Sequence, residues 1–450
     1  MRCILSLQFL LLSSFLFAQN WTPLFNGMDL SGWESQGGKA KYQIVDGVIV
    51  GTAVLNSPNT FLCSKETYGD FILELRVFLS NHLNSGIQFR SNLIDQVVRG
   101  YQCEIDPSPR AFSGGIYEES LRGWLYPLSI NTQARSAFEL GKWNDVRIEC
   151  FGNEIRTYIN GRMCSYLVDD ATSRGFIGLQ VHSIGESEKG YQVKWKDIKI
   201  LTEDVKSNLS DVDPEVAQMS YLKNELTDLE KRNGWRLLWD GKSSNGWRGA
   251  KLDEFPTSGW EMKNGELVIL KTDGGEATGP GDIVTTTKYS DFELELEFKI
   301  TKGANSGIKY FVDPSLNKHS GSAIGCEFQV LDDQNHPDAK MGVNGNRTVG
   351  SLYDLIAAEN LSVPGRSKQF KGIDKWNKAR IVSKDGKVEH WLNNEKVVEY
   401  DRTSQMFRAL VAYSKYKVWE NFGQWPEGSI LLQDHGDNVS YRSIKIREFN

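Results

Sequence analysis

Two segments of the sequence carry acid and amide side chains at alternate positions. They are residues 100–106, GYQCEID, and residues 325–332, GCEFQVLD. Alternation with a period of two predicts a strand whose two faces differ in polarity. The polar faces carry Gln102, Glu104 and Asp106 in the first segment, and Glu327 and Gln329 in the second. Such groups are suited to holding a polyhydroxy ligand and to transferring protons, whereas the alternative interpretation is an ordinary solvated sheet face.

Further candidates share faces of other predicted strands, because side chains two residues apart point the same way. They are Asn84, Gln88 and Arg90; Asn305 and Lys309; Gln180 and His182; and Gln433 and His435. If these strands converge in one sheet, each set forms a polar cleft with amides, a cation, a carboxylate and a histidine. A single His on a strand is more often structural, but here two His residues occupy equivalent strand ends.

That equivalence follows from a repeat that spans most of the chain. The anchors recur in the same order, as residues 21–27 with 235–241, 68–71 with 289–292, 84–87 with 305–308, 142–144 with 375–377, 178–182 with 431–435, and 195–200 with 441–446. Ordered anchors predict the duplication of a domain of about 200 residues rather than a solenoid of short repeats. The second copy carries insertions around residues 335–347 and 413–428.

Both copies consist of short predicted strands that are separated by Gly, Asn and Asp turns. The predicted strands include residues 71–79, 86–90, 146–150, 155–159, 292–300 and 388–392, and hairpin turns are predicted at Asp46-Gly47, Asn160-Gly161, Asn264-Gly265 and Asp385-Gly386. The pattern predicts an all-β fold with two tandem jelly-roll sandwiches, residues 19–202 and 234–450. Within the linker, residues 203–233, an apolar residue every three or four positions after Pro214 predicts a helix over 214–232.

The composition is that of an ordinary globular protein. The net charge of −6 and the absence of a basic run exclude nucleic acid as the expected partner. Thirteen Trp, 16 Tyr and 21 Phe are typical of β-rich folds and of sugar-binding surfaces. The five Cys after residue 18 are an odd number without tight spacing, which favours buried thiols over a disulfide framework or a zinc site. The oligomeric state is left open.

The first 18 residues have the pattern of a secretory signal peptide. Arg2 precedes an apolar run over residues 4–17, and Ala18 is a small residue at a cleavage position. The run is too short to predict a membrane span, and no other segment of the sequence is a candidate. The mature chain is therefore predicted to be secreted or periplasmic and to have no membrane span.

Several motifs resemble those of the 3-keto-disaccharide hydrolase family. They are LFNG…SGW, NSGI, GYQCEID…FSGGIYEESLRGWLYPL, KWN, EHWLN and LLQDHG, and together they cover both copies. The resemblance implies a concanavalin A-like jelly roll, a fold that lectins and family 16 glycoside hydrolases share. Those hydrolases use a Glu-x-Asp-x-Glu strand, which Gln102-x-Glu104-x-Asp106 matches only in part, so the usual two-carboxylate mechanism is not predicted here.

The resemblance also implies the cleavage of 3-keto glycosides. A ketone at C3 acidifies the proton on C2, a base removes this proton, and the aglycone leaves C1 before water adds. This chemistry needs a general base, an acid for the leaving oxygen and a group that polarises the ketone. A divalent metal could polarise the ketone, but no dense spacing of ligands indicates one, so cofactor and metal ligands stay open. The competing class is a non-catalytic, lectin-like protein that binds carbohydrate, or a chain with one catalytic and one binding copy.

Each copy supplies its own candidate site residues. In the first copy they are Glu104 and His182 for acid–base catalysis, with Arg90, Gln102, Asp106, Arg122, Trp124 and Tyr126 for substrate binding. In the second copy they are Glu327 and His435 for acid–base catalysis, with Lys309, Gln329 and Gln433 for substrate binding. His390 shares a face with two apolar residues and is expected in the core, and Asp434 is expected to close a turn. The insertions and the motifs EHWLN and QDHG favour the second copy as the catalytic one.

Overall fold

The computed structural model describes residues 20–272, 281–317 and 321–449. The predicted signal peptide and Cys3 lie outside these ranges. Within them, none of the helices has both the length and the apolar character needed to cross a membrane. The five Cys of the described residues are buried free thiols, as the sequence predicted.

The first copy folds into strands β1 to β15. Their bounds are β1 Thr22–Pro23, β2 Trp33–Gly37, β3 Lys41–Val45, β4 Val48–Thr52, β5 Thr60–Ser64, β6 Phe71–Leu79, β7 Ser85–Ile94, β8 Val97–Ile105, β9 Ile116–Glu119, β10 Gly123–Tyr126, β11 Trp143–Phe151, β12 Glu154–Ile159, β13 Arg162–Val168, β14 Phe176–Val181 and β15 Gln192–Leu201. Short 3-10 helices cover Thr132–Ser136, Glu186–Glu188 and Val205–Asn208. The regular alternation of the sequence is thus realised as antiparallel strands.

The second copy repeats this arrangement with strands β17 to β29. Their bounds are β17 Arg236–Leu237, β18 Trp247–Gly249, β19 Trp260–Lys263, β20 Glu266–Ile269, β21 Ile283–Tyr289, β22 Phe292–Ile300, β23 Asn305–Asp313, β24 Ile324–Leu331, β25 Asn377–Lys384, β26 Lys387–Leu392, β27 Glu395–Asp401, β28 Gly428–Leu432 and β29 Val439–Glu448. Helix α2 covers Gln405–Ala412, and 3-10 helices cover Pro337–Lys340 and Lys415–Val418.

Each copy is a sandwich of two sheets around its own hydrophobic core, which confirms the predicted all-β fold. In each copy we call the sheet that carries the polar residues the cleft sheet. Its strand order is β10-β9-β8-β7-β14-β5-β2 in the first copy and β18-β21-β28-β23-β24 in the second. The other sheet has the order β13-β12-β11-β6-β15-β4-β3 in the first copy and β19-β20-β29-β22-β25-β26-β27 in the second, and β1 and β17 add to β15 and β29.

The predicted hairpin turns are present. Both residues have positive φ, between +50° and +79°, at Asp46-Gly47, Asn160-Gly161, Asn264-Gly265 and Asp385-Gly386. A two-residue turn with two positive φ angles matches the twist of the flanking strands, and Asn, Asp and Gly tolerate that conformation best. The turns therefore fix the register of these hairpins.

The linker differs from the predicted helix over 214–232. Helix α1 covers only Asp228–Arg232, and it is capped by Thr227, whose Oγ1 accepts from the Glu230 backbone N–H at 3.0 Å. Before it, β16 Gln218–Ser220 is extended and pairs in parallel with β13. Met219 is buried in the first core, so the sheet edge and the core together override the helical spacing of the apolar residues.

The two copies also contact each other directly. Asn394 is buried and donates to Leu125 O at 3.0 Å, while its own carbonyl accepts from Ser129 Oγ at 2.7 Å. Lys378 Nζ donates to Ser220 O in the linker at 3.1 Å. Backbone groups of the first copy and the linker are thus satisfied by side chains of the second.

Arg90 does not share the polar face that its spacing predicted. The pairing of β7 with β8 shifts register between Phe89 and Asn92, and Arg90 has φ of +44°. This bulge turns the buried guanidinium away from the cleft, where it donates to Gly69 O at 2.9 Å, Gly152 O at 2.8 Å and Asp70 at 3.0 Å. The structure therefore gives Arg90 a structural role in place of substrate binding.

Replacing Arg90 with Met removes three donors and leaves two carbonyl oxygens and a carboxylate without this partner. We expect the free energy of unfolding in urea to fall by about 3 kcal/mol. Arg174→Met is the control, because Arg174 is exposed and also donates to a backbone carbonyl. This substitution should lower the free energy of unfolding by less than about 1 kcal/mol. An unchanged urea midpoint for Arg90→Met would contradict the structural role.

Candidate functional site

Strands β23, β24 and β28 of the second copy form the floor of a cleft of about 230 Å³. The residues predicted for this copy all line it, and they are Lys309, Glu327, Gln329, Gln433 and His435. Period-two alternation places them on the outer face of the cleft sheet, while Ile308 and Phe328 point into the core. The structure therefore brings together the whole set that the sequence predicted for the second copy.

A buried ion pair lies at the centre of this cleft. Lys309 is the cross-strand partner of Glu327, and Lys309 Nζ is 3.7 Å from Glu327 Oε2, with the two side chains 7% and 4% exposed. Lys309 also donates to Ser322 Oγ and Ala323 O. The ammonium and the carboxylate offset each other's charge in a site with little water. An ionised carboxylate on the floor of a cleft is a proton acceptor.

The neighbours of Glu327 leave no room for a larger residue at position 307. A Cβ atom on Gly307 would lie 2.1 Å from Glu327 Oε1, so glycine is needed for the carboxylate to lie over the strand. When the side-chain amide of Gln329 is turned by 180°, which satisfies both its nitrogen and its oxygen, the nitrogen donates to the same oxygen at 3.1 Å. The carboxylate is thus held between an ammonium on one side and an amide on the other.

The insertions of the second copy form the walls of its cleft. Lys415, Tyr416 and Trp419 come from the insertion around 413–428, and Tyr353 follows the other insertion. Tyr416 stacks on Phe422 with the ring centroids 4.0 Å apart, whereas Trp419 is only half-buried. An aromatic wall above a polar floor is typical of sugar-binding clefts. The insertions are visible in the sequence, but none of these four side chains belongs to a strand pattern that would indicate it.

His435 lies at the rim of the cleft beside His336 and Asp437, which no strand pattern in the sequence indicates as site residues. Atoms of His336, His435 and Asp437 that can serve as metal ligands lie within 4.8 Å of one another. Burial and the neighbouring His435 lower the pKa of His336. Asp437 Oδ2 accepts from the backbone N–H of Asn305 at 3.0 Å, which ties the rim to the floor.

The first copy has a similar cleft of about 270 Å³. Among its lining residues are the predicted Gln102, Glu104, Trp124 and His182, together with Asn59, Asn84, Arg110, Tyr117, Glu119 and Gln180. The chemistry of its floor differs, because Gln102 faces Gln88 across the strands where Glu327 faces Lys309. Gln88 Nε2 donates to Gln102 Oε1 at 2.7 Å, so two neutral amides replace the ion pair.

Glu104 occupies the position that Gln329 holds in the second copy. It lies opposite Gly86, as Gln329 lies opposite Gly307. Its two oxygens accept from Asn84 Nδ2 and Gln102 Nε2, each at 2.7 Å, and Arg110 Nη2 is 3.9 Å away. Burial raises the pKa of Glu104, and the two amide donors offset this only in part. Relative to Glu327, the carboxylate of the first copy is therefore displaced by two residues along its strand. Its cross-strand neighbour is Gly86 rather than a lysine.

Besides Arg90, three predicted residues of the first copy lie outside the cleft. Asp106 comes after the last residue of β8 and accepts from Arg110 Nε at 2.7 Å. Arg122 forms ion pairs with Glu118 and Asp169, and it lines a separate cavity between the copies. Tyr126 is buried and donates to Ala217 O in the linker at 2.8 Å. On β10, Trp124 faces the cleft but Tyr126 faces the linker, because the pairing of β10 with β9 shifts register between them, so alternation alone could not assign both.

Two further expectations are confirmed. His390 is fully buried, with Nε2 2.7 Å from Tyr310 Oη and Nδ1 3.0 Å from Gly350 O, and burial lowers its pKa to about 4. Asp434 closes a turn, because its Oδ1 accepts from the Gly436 backbone N–H at 2.9 Å. Neither side chain belongs to the cleft.

The buried position of His390 predicts a pH dependence of stability. Between pH about 4 and about 6.5 the unfolded chain binds a proton at this residue that the folded chain excludes. The free energy of unfolding should therefore fall as the pH decreases through this window, by roughly 1.4 kcal/mol per pH unit from this group. In urea titrations at several pH values, His390→Asn should flatten this dependence, whereas His82→Asn at an exposed site should preserve it. Equal slopes for His390→Asn and the unsubstituted protein would contradict the assignment.

Residues 20–201 and 234–447 both match the family model described as the 3-keto-alpha-glucoside-1,2-lyase-like domain. A protein of Bacteroides thetaiotaomicron named 3-keto-disaccharide hydrolase is 37% identical over 239 residues, which are 48% of this chain and 78% of that protein.

Similar solved structures include proteins with carbohydrate-related names. A crystal structure from Parabacteroides distasonis, described as a glycosyl hydrolase, has 29% identity and a TM-score of 0.44, and the match covers 51% of this chain and all of that one. A carbohydrate-binding module from Bacillus subtilis has 16% identity and a TM-score of 0.29, with 38% of this chain and 95% of that one covered.

Proposed function

Since this chain belongs to the 3-keto-alpha-glucoside-1,2-lyase-like family, we propose that it cleaves the glycosidic bond of 3-keto glycosides in the cleft of its second copy. The name of the Bacteroides relative supports a glycoside-cleaving activity on this class of substrate. The observation that carries the assignment to the second copy is the buried Lys309–Glu327 pair on the cleft floor. The first copy has no such pair at the equivalent positions.

In the proposed reaction Glu327 is the base that removes the proton on C2. The electron pair of the C2–H bond moves towards the C3 ketone, and donors such as Lys309 stabilise the charge that develops on oxygen. The electrons then form a C1–C2 double bond, the C1–O bond breaks, and His435 protonates the leaving oxygen. Water adds its hydroxyl group to C1 and returns a proton to His435. The proton on Glu327 exchanges with solvent while the double bond is present, Glu327 then protonates C2, and the sum of the steps is hydrolysis.

The cleft walls supply the contacts that hold the sugar. Trp419 is half-buried beside the polar floor, so its ring can stack on one face of a pyranose. Gln433 and Asn305 line the same cleft and offer both donors and acceptors to hydroxyl groups. This combination fits an uncharged polyhydroxy ligand.

We further propose that residues 19–202 and 234–450 are separate domains and that the mature chain acts outside the cytoplasm, as a secreted or periplasmic protein. Two hydrophobic cores support the division into domains. Each core consists of residues of one copy, except that the first core also includes linker residues and contacts Val363 of the second copy. The signal-like pattern of residues 1–18 supports the proposed location outside the cytoplasm.

For the first copy we propose carbohydrate binding without catalysis. The change from the Lys–Glu pair to Gln88–Gln102 removes both the base and its cation at the equivalent positions, while amides, Tyr117 and Trp124 remain in the cleft. Amide groups beside a half-buried tryptophan suffice to hold a sugar ring. The chain would then hold a glycan with one copy and cleave with the other.

The assignment of catalysis is tested by a matched pair of substitutions. Glu327→Gln keeps the shape of the side chain but removes the base, so we expect aglycone release from a 3-keto glucoside to fall at least about 100-fold. Glu104→Gln should leave the rate nearly unchanged. Both proteins must retain the thermal unfolding of the original chain. If Glu104→Gln abolishes release and Glu327→Gln does not, the catalytic copy is the first.

The binding role of the first copy is tested by retention on an immobilised, unoxidised glycan. We expect Trp124→Ala to lower retention while turnover of a small 3-keto glucoside stays the same, because the two clefts are separate. Trp419→Ala should show the reverse, with turnover reduced and retention largely kept. Retention that survives Trp124→Ala but is lost in Trp419→Ala would assign all sugar binding to the second copy.

A further inference from the structure

We propose that His336, His435 and Asp437 bind one divalent transition-metal ion at the rim of the second-copy cleft. Each residue offers one atom that can coordinate a metal ion, an imidazole nitrogen or a carboxylate oxygen, and these atoms lie within 4.8 Å of one another. All three residues are half-buried, so the group is neither a solvated surface cluster nor closed to an entering ion. Within the described ranges, this is the group of three such residues that meets this geometry.

Two loops supply the three ligands. His336 stands at the N-cap of the 3-10 helix Pro337–Lys340, in the insertion that only the second copy carries. His435 and Asp437 follow strand β28. The contact of Asp437 Oδ2 with the Asn305 backbone N–H fixes the orientation of the carboxylate, as outer contacts do for metal ligands in general. The ligands thus come from two loops that both rest on the cleft sheet.

The ligand set selects the class of ion. Two imidazole nitrogens and one carboxylate oxygen suit Zn²⁺, Co²⁺ or Mn²⁺, whereas Ca²⁺ and Mg²⁺ prefer oxygen ligands alone. Three protein ligands leave further coordination positions for water or substrate, which is the arrangement of reactive rather than structural metal sites. Because His435 lines the cleft, those positions would face the bound sugar.

Coordination would replace one hydrogen bond that His336 makes in the structure. His336 Nδ1 accepts from the Asp338 backbone N–H at 3.2 Å. When the ion binds, Nδ1 must either coordinate it or carry the ring proton, and in both cases it no longer accepts this bond. One long, neutral hydrogen bond is a small loss beside three metal–ligand bonds.

The first copy supplies an internal comparison. His182 is the equivalent of His435, but two residues further on the first copy has Ile184 where the second has Asp437, and the insertion that carries His336 has no counterpart. The Nδ1 atom of His182 lies 2.6 Å from the carbonyl oxygen of Ser183. The histidine alone is therefore common to both copies, while the complete ligand set occurs only in the copy to which we assign catalysis.

A role for the ion in catalysis rests on the proposed function, whereas its binding does not. With an ion bound, His435 would be a ligand and could not protonate the leaving oxygen. A water molecule on the ion would supply that proton instead and would regain it from the water that adds to C1. The glycosidic bond still breaks by loss of the C2 proton to Glu327, so the balance of the reaction is unchanged.

The test is a direct measurement of metal binding by the full mature chain, prepared without a histidine tag and freed of metal by dialysis against a chelator. Calorimetric titration with ZnCl₂ and with MnCl₂ should show about one ion per chain, and bound ion should raise the melting temperature. His336→Ala and Asp437→Asn should each weaken binding roughly tenfold or more. His182→Ala, the matched change in the first copy, should leave binding unchanged.

Each outcome decides the proposal. Absence of binding at millimolar metal, or binding that His336→Ala and Asp437→Asn leave intact, would overturn it. Loss of binding in His182→Ala alone would move the site to the first copy and also overturn it. Since calorimetry needs no substrate, normal metal binding by a chain without activity on 3-keto glycosides would refute the proposed function and leave the metal site standing.

Discussion

The second copy depends on a pair of charges that is almost fully removed from water. Burying an ion costs several kcal/mol unless partners replace its hydration shell, and Lys309 and Glu327 therefore need further hydrogen bonds. Ser322 and Ala323 accept from the ammonium, and Ser322 in turn donates to Asp282. Asp282 also accepts from the backbone of Asp434, next to His435. The network that stabilises the ion pair thus also fixes the end of the strand that carries the histidine.

A comparison of the two copies separates the cleft residues that both share from those that differ. Both cleft sheets keep an asparagine, a glycine, a glutamine and a histidine at equivalent positions, whereas the Lys–Glu pair of one is an amide pair in the other. Two amides satisfy each other without burying charge, so the first cleft avoids the cost of the ion pair and has neither a carboxylate nor an ammonium at these two positions. The copy with the ion pair is also the one whose insertions add Tyr416 and Trp419 to the cleft walls and a second histidine to the rim.

The strands and the floor of the site could be predicted because they depend on local rules. Alternation with a period of two, together with Asx-Gly turns, is enough to assign the faces of β23, β24 and β28. Arg90 could not be assigned in this way, since a bulge of one residue reverses the face of everything that follows it. The linker was predicted as a helix because its apolar spacing is helical, whereas an edge strand and a hydrophobic core decided its conformation. His336 and Trp419 lie on insertions whose path is set by tertiary packing, so no sequence period could place them over the cleft.

The central claim is that the glycosidic bond breaks only after the proton on C2 has been removed in the second cleft. The most direct measurement is the isotope content of the 3-keto sugar released in D₂O, determined by mass spectrometry at early times, with a protein-free sample to correct for spontaneous exchange. Elimination followed by addition of water predicts one deuterium at C2 in every molecule released. Release of product that keeps its original hydrogen at C2 would show direct substitution at C1 and would contradict the account.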